Sequence, residues 1–478
     1  MFGISPIEAM WMDPQQRKLL EVVYEAFESA GVSLEAISGS TTAVFAGSFT
    51  SDYQQMSFKE PDSRHSYAAT GVDPGIISNR ISHVFNLHGP SIVVNTACSS
   101  SHMNTAKLGV LSHTSTCRTF DESADGYGRA DGVGGVYLKR LSDAPLLSVS
   151  LTPTCLGQKD VIQHAYRRGG DLDPRLTGYF EIHGTGTPID DPLEVNAVAR
   201  VMNDKITDAD EPLLIGAVKT NIGHSGAASG LSAVIKACLT VENGIIPPTR
   251  GLVVTEPHPF PAHLPVKRVS VNSFGYGGTN GHIIVEGVDS FLPDYKHGKK
   301  TDVKPEGDEL NRPYLFPMSA HNKPTLKQNI AAYEKIVDQY DPLDLTYTLA
   351  NRRSRFSTKG YVVATPATIP SAFGNDAAAF AIAEKKKTNE VGFAFTGRGA
   401  QWATMGSQLM KYYYPSFLAT IRKLDQALPS PPDAPEWTLE ATLLQPAATS
   451  RVNEAEFSQP LCTAIQVAVV EQLLSWCH

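Results

Sequence analysis

Six cysteines in 478 residues, Cys98, Cys117, Cys155, Cys238, Cys462 and Cys477, are too few and too unevenly spaced for a disulfide framework. They read as free thiols in a reducing compartment. Basic charge is not in excess either: 41 Lys and Arg stand against 49 Asp and Glu, a formal net charge of −8. That balance excludes a broad nucleic-acid face, so an anionic partner must be met by locally placed positive charge. No apolar run approaches the roughly 18–20 residues of a membrane span, and the first residues lack the basic-then-apolar pattern of a secretory signal. No Cys/His set has zinc-finger spacing. Neither a Walker loop nor a strand-linked Gly-x-Gly-x-x-Gly is present. The expectation is a soluble, cytoplasmic protein that binds no nucleic acid, membrane, metal or resident cofactor. What remains is an ordinary globular composition, 42% hydrophobic and 19% charged, which excludes a disordered or fibrous chain. At roughly 150 residues per domain, the length suggests about three domains.

Helical periodicity is strongest after Asp13, which is placed to cap a helix with Pro14 at its first position and Gln16 where a capping-box partner belongs. Leu19, Leu20, Val23, Phe27 and Ala30 follow at helical spacing, and Gly31 ends the run. Ala43–Ala46 reads as a short buried strand stopped by Gly47. From there one pattern recurs, an apolar strand opening into a small or polar loop. Ser91–Val94 leads into Asn95–Ser101, Tyr179–Ile182 into His183–Thr187, Leu213–Val218 into Lys219–His224, and Val269–Val271 into Asn272–Asn280, with Ile283–Val285 beyond. Strands alternating with helices imply an α/β domain whose ligands gather beyond the strands' carboxyl ends. Asp294–Pro313 reads as a solvated linker. A smaller α/β unit follows, with strands at Tyr314–Met318 and Tyr361–Ala364 and a helix over Lys323–Asp338. A further unit opens with a strand at Val391–Phe395.

Cys98 sits at a strand-to-helix turn, where the helix dipole stabilises a thiolate, the nucleophilic form. Free cysteine is more often a small core residue, but three following serines are poor core material. His183 and His224 flank Gly-rich loops at two other strand ends, and Lys219 adds a fixed positive charge nearby. Surface or satisfied-core histidines and a solvated lysine are the bland alternatives. Together, however, the four residues make a constellation of one nucleophile and two imidazoles. A cysteine protease needs one histidine and leaves the second unexplained. Gly223-His224-Ser225-Gly226-Ala227 misses the serine elbow at its last position.

Thr96–Ser101, His183–Thr187, Lys219–His224 and Asn272–Asn280, with Asp13-Pro14-Gln15-Gln16-Arg17, closely resemble the motifs of β-ketoacyl synthase domains in type I polyketide synthases. Met10–Asp13 and Asp121–Gly128 are most similar to the fungal highly reducing kind. Phe393–Trp402 resembles the opening of the malonyl-type acyltransferase domain that follows in such polypeptides. The resemblance implies a thiolase-like ketosynthase fold, with Cys98, His183 and His224 catalytic and Lys219 supporting the second histidine. It further implies a decarboxylative Claisen condensation of malonyl thioester onto a Cys98-bound acyl chain, in polyketide biosynthesis. An acyl carrier protein would present acyl and malonyl thioesters on phosphopantetheine, and the family assembles as homodimers.

The expected domains are a ketosynthase at 1–288, a linker domain at 289–390 and an acyltransferase start at 391–478. Against the resembled pattern the ketosynthase starts late and carries gaps near 101 and within 141–159. Cys98 and His183 are 85 positions apart, several tens too few, whereas the 41 from His183 to His224 fit. The stretch after Phe393 holds no Gly-x-Ser-x-Gly, and its one histidine is His478. Malonyl groups are therefore expected from a separate transferase. Losing central strands should cost about 1–3 kcal/mol for each buried backbone group left unpaired, and a frame so depleted should not fold natively. Three readings follow: a working ketosynthase piece, an inactive remnant or mispredicted gene product, and a non-catalytic docking module.

Overall fold

The computed structural model describes residues 2–478 except 49–51, 60–66, 95–110, 139–147, 150–153, 203–211, 251–253, 276–278, 293–311, 375–376, 385–392, 396, 398, 413–415, 429–434 and 477–478. They form two compact units, Met1–Lys385 and Lys386–His478. In the first, β1 (Val44–Gly47) and β2 (Ser91–Val94) pair in parallel as a two-stranded sheet. Next come β3 (Ser148–Val149), β4 (Tyr179–Glu181), β5 (Leu214–Gly216), the small antiparallel pair β6 (Ile245–Ile246) and β7 (His258–Pro259), β8 (Arg268–Phe274) and β9 (Thr279–Glu286). Five of these make one sheet in the order β3-β9-β8-β4-β5. Strand β4 runs parallel to β5 and β8, while β9 is antiparallel to β8 and β3.

Alternate residues of β4 face opposite ways, and each face has its own cover. Phe180, with Ile182 just beyond the strand, packs on Val161, Ile162 and Val198 of the helices Cys155–Arg168 and Asp190–Met202. Tyr179, Val269 and Val271 pack on Ala233, Ala237 and Val241 of the helix Ser229–Asn243. That helix stops at Gly244, whose φ of 64° is the left-handed conformation that suits glycine. The result is a three-layer α/β core. Because β4, β5 and β8 run parallel, their carboxyl ends share one edge, where such folds place ligands.

Helix Pro14–Ser29 is capped by Asp13, whose side chain accepts from the Gln15 N–H at 2.8 Å. No capping box completes it as expected: the Asp13 N–H donates to the Gly71 carbonyl, and the Gln16 amide donates to the Asp73 carbonyl at 3.4 Å. The Ala43–Ala46 stretch is not a wholly buried strand. β1 includes Gly47, and alternation leaves Phe45 68% exposed. Two expected loops are partly regular. Lys219–Ile222 is a short helix, and Asn272–Phe274 and Thr279–Asn280 belong to the β8–β9 hairpin.

Strands β10 (Tyr314–Ala320), β11 (Thr358–Ala364) and β12 (Ala381–Glu384) form an antiparallel sheet packed on helices Lys323–Glu334 and Pro342–Asn351. The expected helix to Asp338 thus ends at Glu334, with a 3-10 turn at Val337–Gln339 after it. Ser354 ties this layer to the first long helix: its N–H donates to Glu28 at 3.0 Å, and its hydroxyl accepts from the Leu34 N–H at 3.0 Å. The linker Asp294–Pro313 lies largely outside the described residues.

The second unit is helical among the described residues: Ser407–Tyr412, Ser416–Ala427, Leu439–Leu443 and Ala455–Trp476 enclose Phe417, Ile421 and Leu461. Phe393–Phe395, expected as a strand, is not one; no described strand of this unit pairs with it. Among the described residues, no helix is long and apolar enough to cross a membrane.

Candidate active site

Strand β4 ends at Glu181, and His183 follows two residues later at the shared edge. Its ring is buried, and Nδ1 accepts from the Phe274 N–H at 3.3 Å, at the carboxyl end of β8. His224 arrives from β5 through the helix Lys219–Ile222, which Gly223 terminates at φ 79°. Its backbone is pinned between Gly128 and Ala130: its N–H donates to the Gly128 carbonyl at 2.7 Å, and its carbonyl accepts from the Ala130 N–H at 3.0 Å. Nδ1 of His224 accepts from the Gly226 N–H at 3.2 Å. The two imidazoles stand edge to face, their centroids 5.8 Å apart.

A backbone amide only donates, so each Nδ1 must hold a lone pair. Each ring is then neutral with its proton on Nε2. Burial pushes the His183 pKa well below the usual histidine value; the charge of Lys219 acts in the same direction, as would any proton taken up by His224. Lys219 is itself buried. The pair is thus two neutral N–H donors, and neither is arranged as a base.

Two carboxylates on the helix Asp190–Met202 hold the His183 loop. Glu194 accepts from the His183 N–H at 2.7 Å through Oε1 and from the Gly184 N–H at 2.9 Å through Oε2. Asp191 accepts from the Gly186 and Phe120 N–H groups, both at 3.2 Å. Gly186 is required here, because a Cβ would lie 2.6 Å from the Arg118 nitrogen at a φ of 80°. Glu181, fully buried, joins the two histidine segments: it accepts from the Val218 N–H, pairs with Lys236 at 2.7 Å and accepts from the Tyr179 hydroxyl at 2.8 Å.

Of the residues expected from sequence, His183, His224 and Lys219 are brought to one edge. Cys98 and the surrounding Asn95–Ser101 lie outside the described residues. Cys117 is a buried neighbour whose thiol is pushed up by burial. Sequence reasoning passed over Glu194, Glu181, Lys236 and the Phe274 amide. The available signal was Asp191 and Glu194 falling in the same helical stripe as Val198, Val201 and Met202. Among the described residues no cluster of side chains could hold a metal ion.

Comparison with known proteins gives four family matches in sequence order. Residues 1–107 and 102–144 match the β-ketoacyl synthase N-terminal domain, and 147–253 its C-terminal domain. Residues 249–363 match the ketoacyl-synthetase C-terminal extension, and 392–476 an acyl transferase domain. A reducing polyketide synthase of Fusarium langsethiae is 55% identical over 552 aligned positions covering 99% of this chain and 23% of that protein. A highly reducing polyketide synthase of Neurospora crassa is 42% identical, again over 99% of this chain and 23% of its own length. The chain therefore spans about a quarter of the length of these curated relatives. Because 552 aligned positions exceed its 478 residues, the Fusarium protein carries stretches that this chain lacks. A ketosynthase from module 6 of the bacillaene synthase of Bacillus subtilis superposes with a TM-score of 0.63 at 25% identity, over 89% of this chain and 80% of that one. The oxazolomycin ketosynthase domain of Streptomyces albus does so with a TM-score of 0.67 at 25% identity, over 83% and 79%. The fold is the thiolase-like ketosynthase fold.

Proposed function

This chain belongs to the β-ketoacyl synthase family, in the branch of the fungal reducing polyketide synthases, and on that premise we propose that it performs the decarboxylative Claisen condensation of polyketide chain extension. Cys98 is the nucleophile: its thiolate attacks an acyl thioester, the new C–S bond forms, and the carrier's phosphopantetheine thiol leaves. Malonyl thioester then binds with its carbonyl oxygen between His183 and His224. Loss of its carboxylate as carbon dioxide leaves an electron pair as the enolate, whose oxygen the two Nε2–H groups stabilise. The enolate carbon attacks the Cys98 acyl carbonyl. One C–C bond forms, the C–S bond to Cys98 breaks, and the thiolate is regenerated. Lys219 keeps a positive charge beside the site. Acyl and malonyl groups arrive on an acyl carrier protein, and the protein works in the cytoplasm as a homodimer. The ketosynthase occupies 1–288, the linker domain 289–390 and the acyltransferase start 391–478. None of the comparisons favours the inactive or docking reading.

One observation carries this proposal: two neutral imidazoles, each with Nδ1 engaged by a backbone amide. An N–H donor reaches an acceptor about 2.9 Å away, and rings whose centroids lie 5.8 Å apart are close enough for both to serve one oxygen. The test is carbon dioxide release from a malonyl thioester, with peptide mass mapping after an acyl thioester is added. His183→Ala and His224→Ala should each lower release about 10²–10³-fold. Acylation should fall on Cys98 and spare Cys117, Cys238 and Cys462, whose thiols burial pushes up. Release indifferent to both histidines, or uniform labelling of all thiols, would sink the proposal.

A further inference from the structure

His183 and His224 come from different strands, yet one short stretch outside the helices and strands, residues 117–120, bonds to the segments of both. The buried Cys117 thiol closes on a single peptide group: Sγ accepts from the Gly128 N–H at 3.3 Å, and the S–H donates to the Gly128 carbonyl at 3.7 Å. That same carbonyl takes the His224 N–H at 2.7 Å. Two residues on, the buried Thr119 hydroxyl donates to the carbonyl of Gly184, the residue after His183, at 2.9 Å. A Cβ on Gly184 would lie 3.0 Å from the Thr119 methyl, so the two segments pack closely there. Phe120 ends the stretch at a φ of 63°, a left-handed conformation that a phenylalanine keeps only where its surroundings hold it. Its N–H donates to Asp191 at 3.2 Å. Two residues of chain span at most about 7 Å, a reach of the same size as the 5.8 Å between the imidazole centroids.

We propose that residues 117–120 are the spacer that sets the separation of the two imidazoles, Cys117 positioning His224 through Gly128 and Thr119 positioning His183 through Gly184. The proposal rests on the reading of the two rings as joint donors to one enolate oxygen. It adds what keeps them at the distance that oxygen requires. Strands β4 and β5 fix where each histidine segment starts, but His183 lies two residues beyond Glu181 and His224 eight beyond Gly216. A donor more than about 3.2 Å from its acceptor makes a weakened hydrogen bond, so a small drift of either ring takes one donor off the shared oxygen. A misplacement of about 1 Å at a reacting group costs about 10²-fold in rate. Cys117 is not a second nucleophile, because burial pushes its pKa up and both its proton and a lone pair are engaged by Gly128.

The experiment uses the full chain labelled with ¹³C in its histidine rings and reads the nuclear Overhauser effect between the carbon-bound ring protons of His183 and His224. The signals are assigned by their loss in His183→Asn and His224→Asn. Wild-type chain should show the effect. Thr119→Val, which keeps the shape but not the donor, and Cys117→Ala should each weaken it. In both variants kcat for malonyl-thioester decarboxylation should fall about 10–100-fold, with KM changed less than about 3-fold. Thr119→Ser keeps a hydroxyl for Gly184 and should recover most of both losses. In a His183→Ala background Thr119→Val should cost no further activity, whereas a general loosening of the fold would. Should one variant fail to fold, the other carries the test, because the spacer is held at both ends. Absence of the inter-ring effect in wild-type chain, or an unchanged effect in folded Thr119→Val and Cys117→Ala, would overturn the proposal. If wild-type chain releases no carbon dioxide, the enolate reading fails, and the inter-ring effect still decides whether residues 117–120 set the separation.

Discussion

A buried imidazole resists the proton that the same residue would accept in an unfolded chain, and this protein has two in one hydrogen-bonded unit. His282 is lowered to about 3 and His183 well below the usual value, each chiefly by burial. Between the ordinary value of about 6.5 and the folded one, the unfolded chain binds a proton that the native chain refuses. Stability therefore falls as pH drops through that window, by about 1.4 kcal/mol per pH unit for each such histidine. Glu194, raised to about 6 by burial, acts the other way below that pH, as do the raised Asp190 and Asp191. Between pH 7.5 and 6.0 the two histidines outweigh Glu194, which is only about half protonated at the lower pH. The urea midpoint should be lower at pH 6.0 than at pH 7.5, and an equal or higher midpoint would contradict the burial of both rings. The identities of His183, Lys219 and His224 were legible in the sequence, because Gly-rich loops after apolar strands announce themselves. Glu194 was not, since a charged residue on a helix ordinarily faces water, and only its place in an apolar stripe says otherwise.

Strand β4 reaches the edge of the sheet with its last carboxylate buried, and that carboxylate sets how the neighbouring elements meet. Glu181 binds the Val218 amide just ahead of Lys219 and the Lys236 ammonium on the helix that follows His224. Lys236 also donates to the Tyr179 hydroxyl at 2.8 Å. Removing one partner of a buried pair leaves an uncompensated charge, typically about 3–5 kcal/mol of destabilisation. Lys236→Met should lower stability by that order in urea unfolding, and adding Glu181→Gln should recover most of the loss. A double variant as unstable as the single one would show that the pair is not what Glu181 answers to. Apolar runs gave the strands away at this scale, but their ends followed other rules. Asn272 reads as a loop residue, yet it continues β8 because Glu194 and His282 satisfy its amide. Lys219–Ile222 is one helical turn without a side-chain cap, too short to leave a periodic signal.

Across the whole first unit, the departures from the family pattern fall unevenly. The N-terminal family model matches in two overlapping pieces, 1–107 and 102–144, whereas the C-terminal one matches 147–253 as a single stretch. The sheet follows the same division. β4, β5 and β8 lie within five strands covered on both faces, but β1 and β2 make a sheet of two with Phe45 and Ile92 exposed. The expected cost of missing strands is therefore local: a five-stranded sheet carries the histidines, and the uncovered apolar surface lies on the pair that leads toward Cys98. Among the described residues this sheet has no third strand, and a two-stranded pair is marginal by itself, so it should open at far lower free energy than the main sheet. Every 1.4 kcal/mol of that difference is tenfold in an equilibrium. Native-state hydrogen exchange read by peptide mass should find the amides of 44–47 and 91–94 at least about 100-fold less protected than those of 268–274 and 279–286. Equal protection in both sets would mean that the two-stranded sheet is as firmly built as the five-stranded one. A large gap would instead locate this chain's weakness in the pair that leads toward Cys98, with His183 and His224 held at the edge of the firmer sheet.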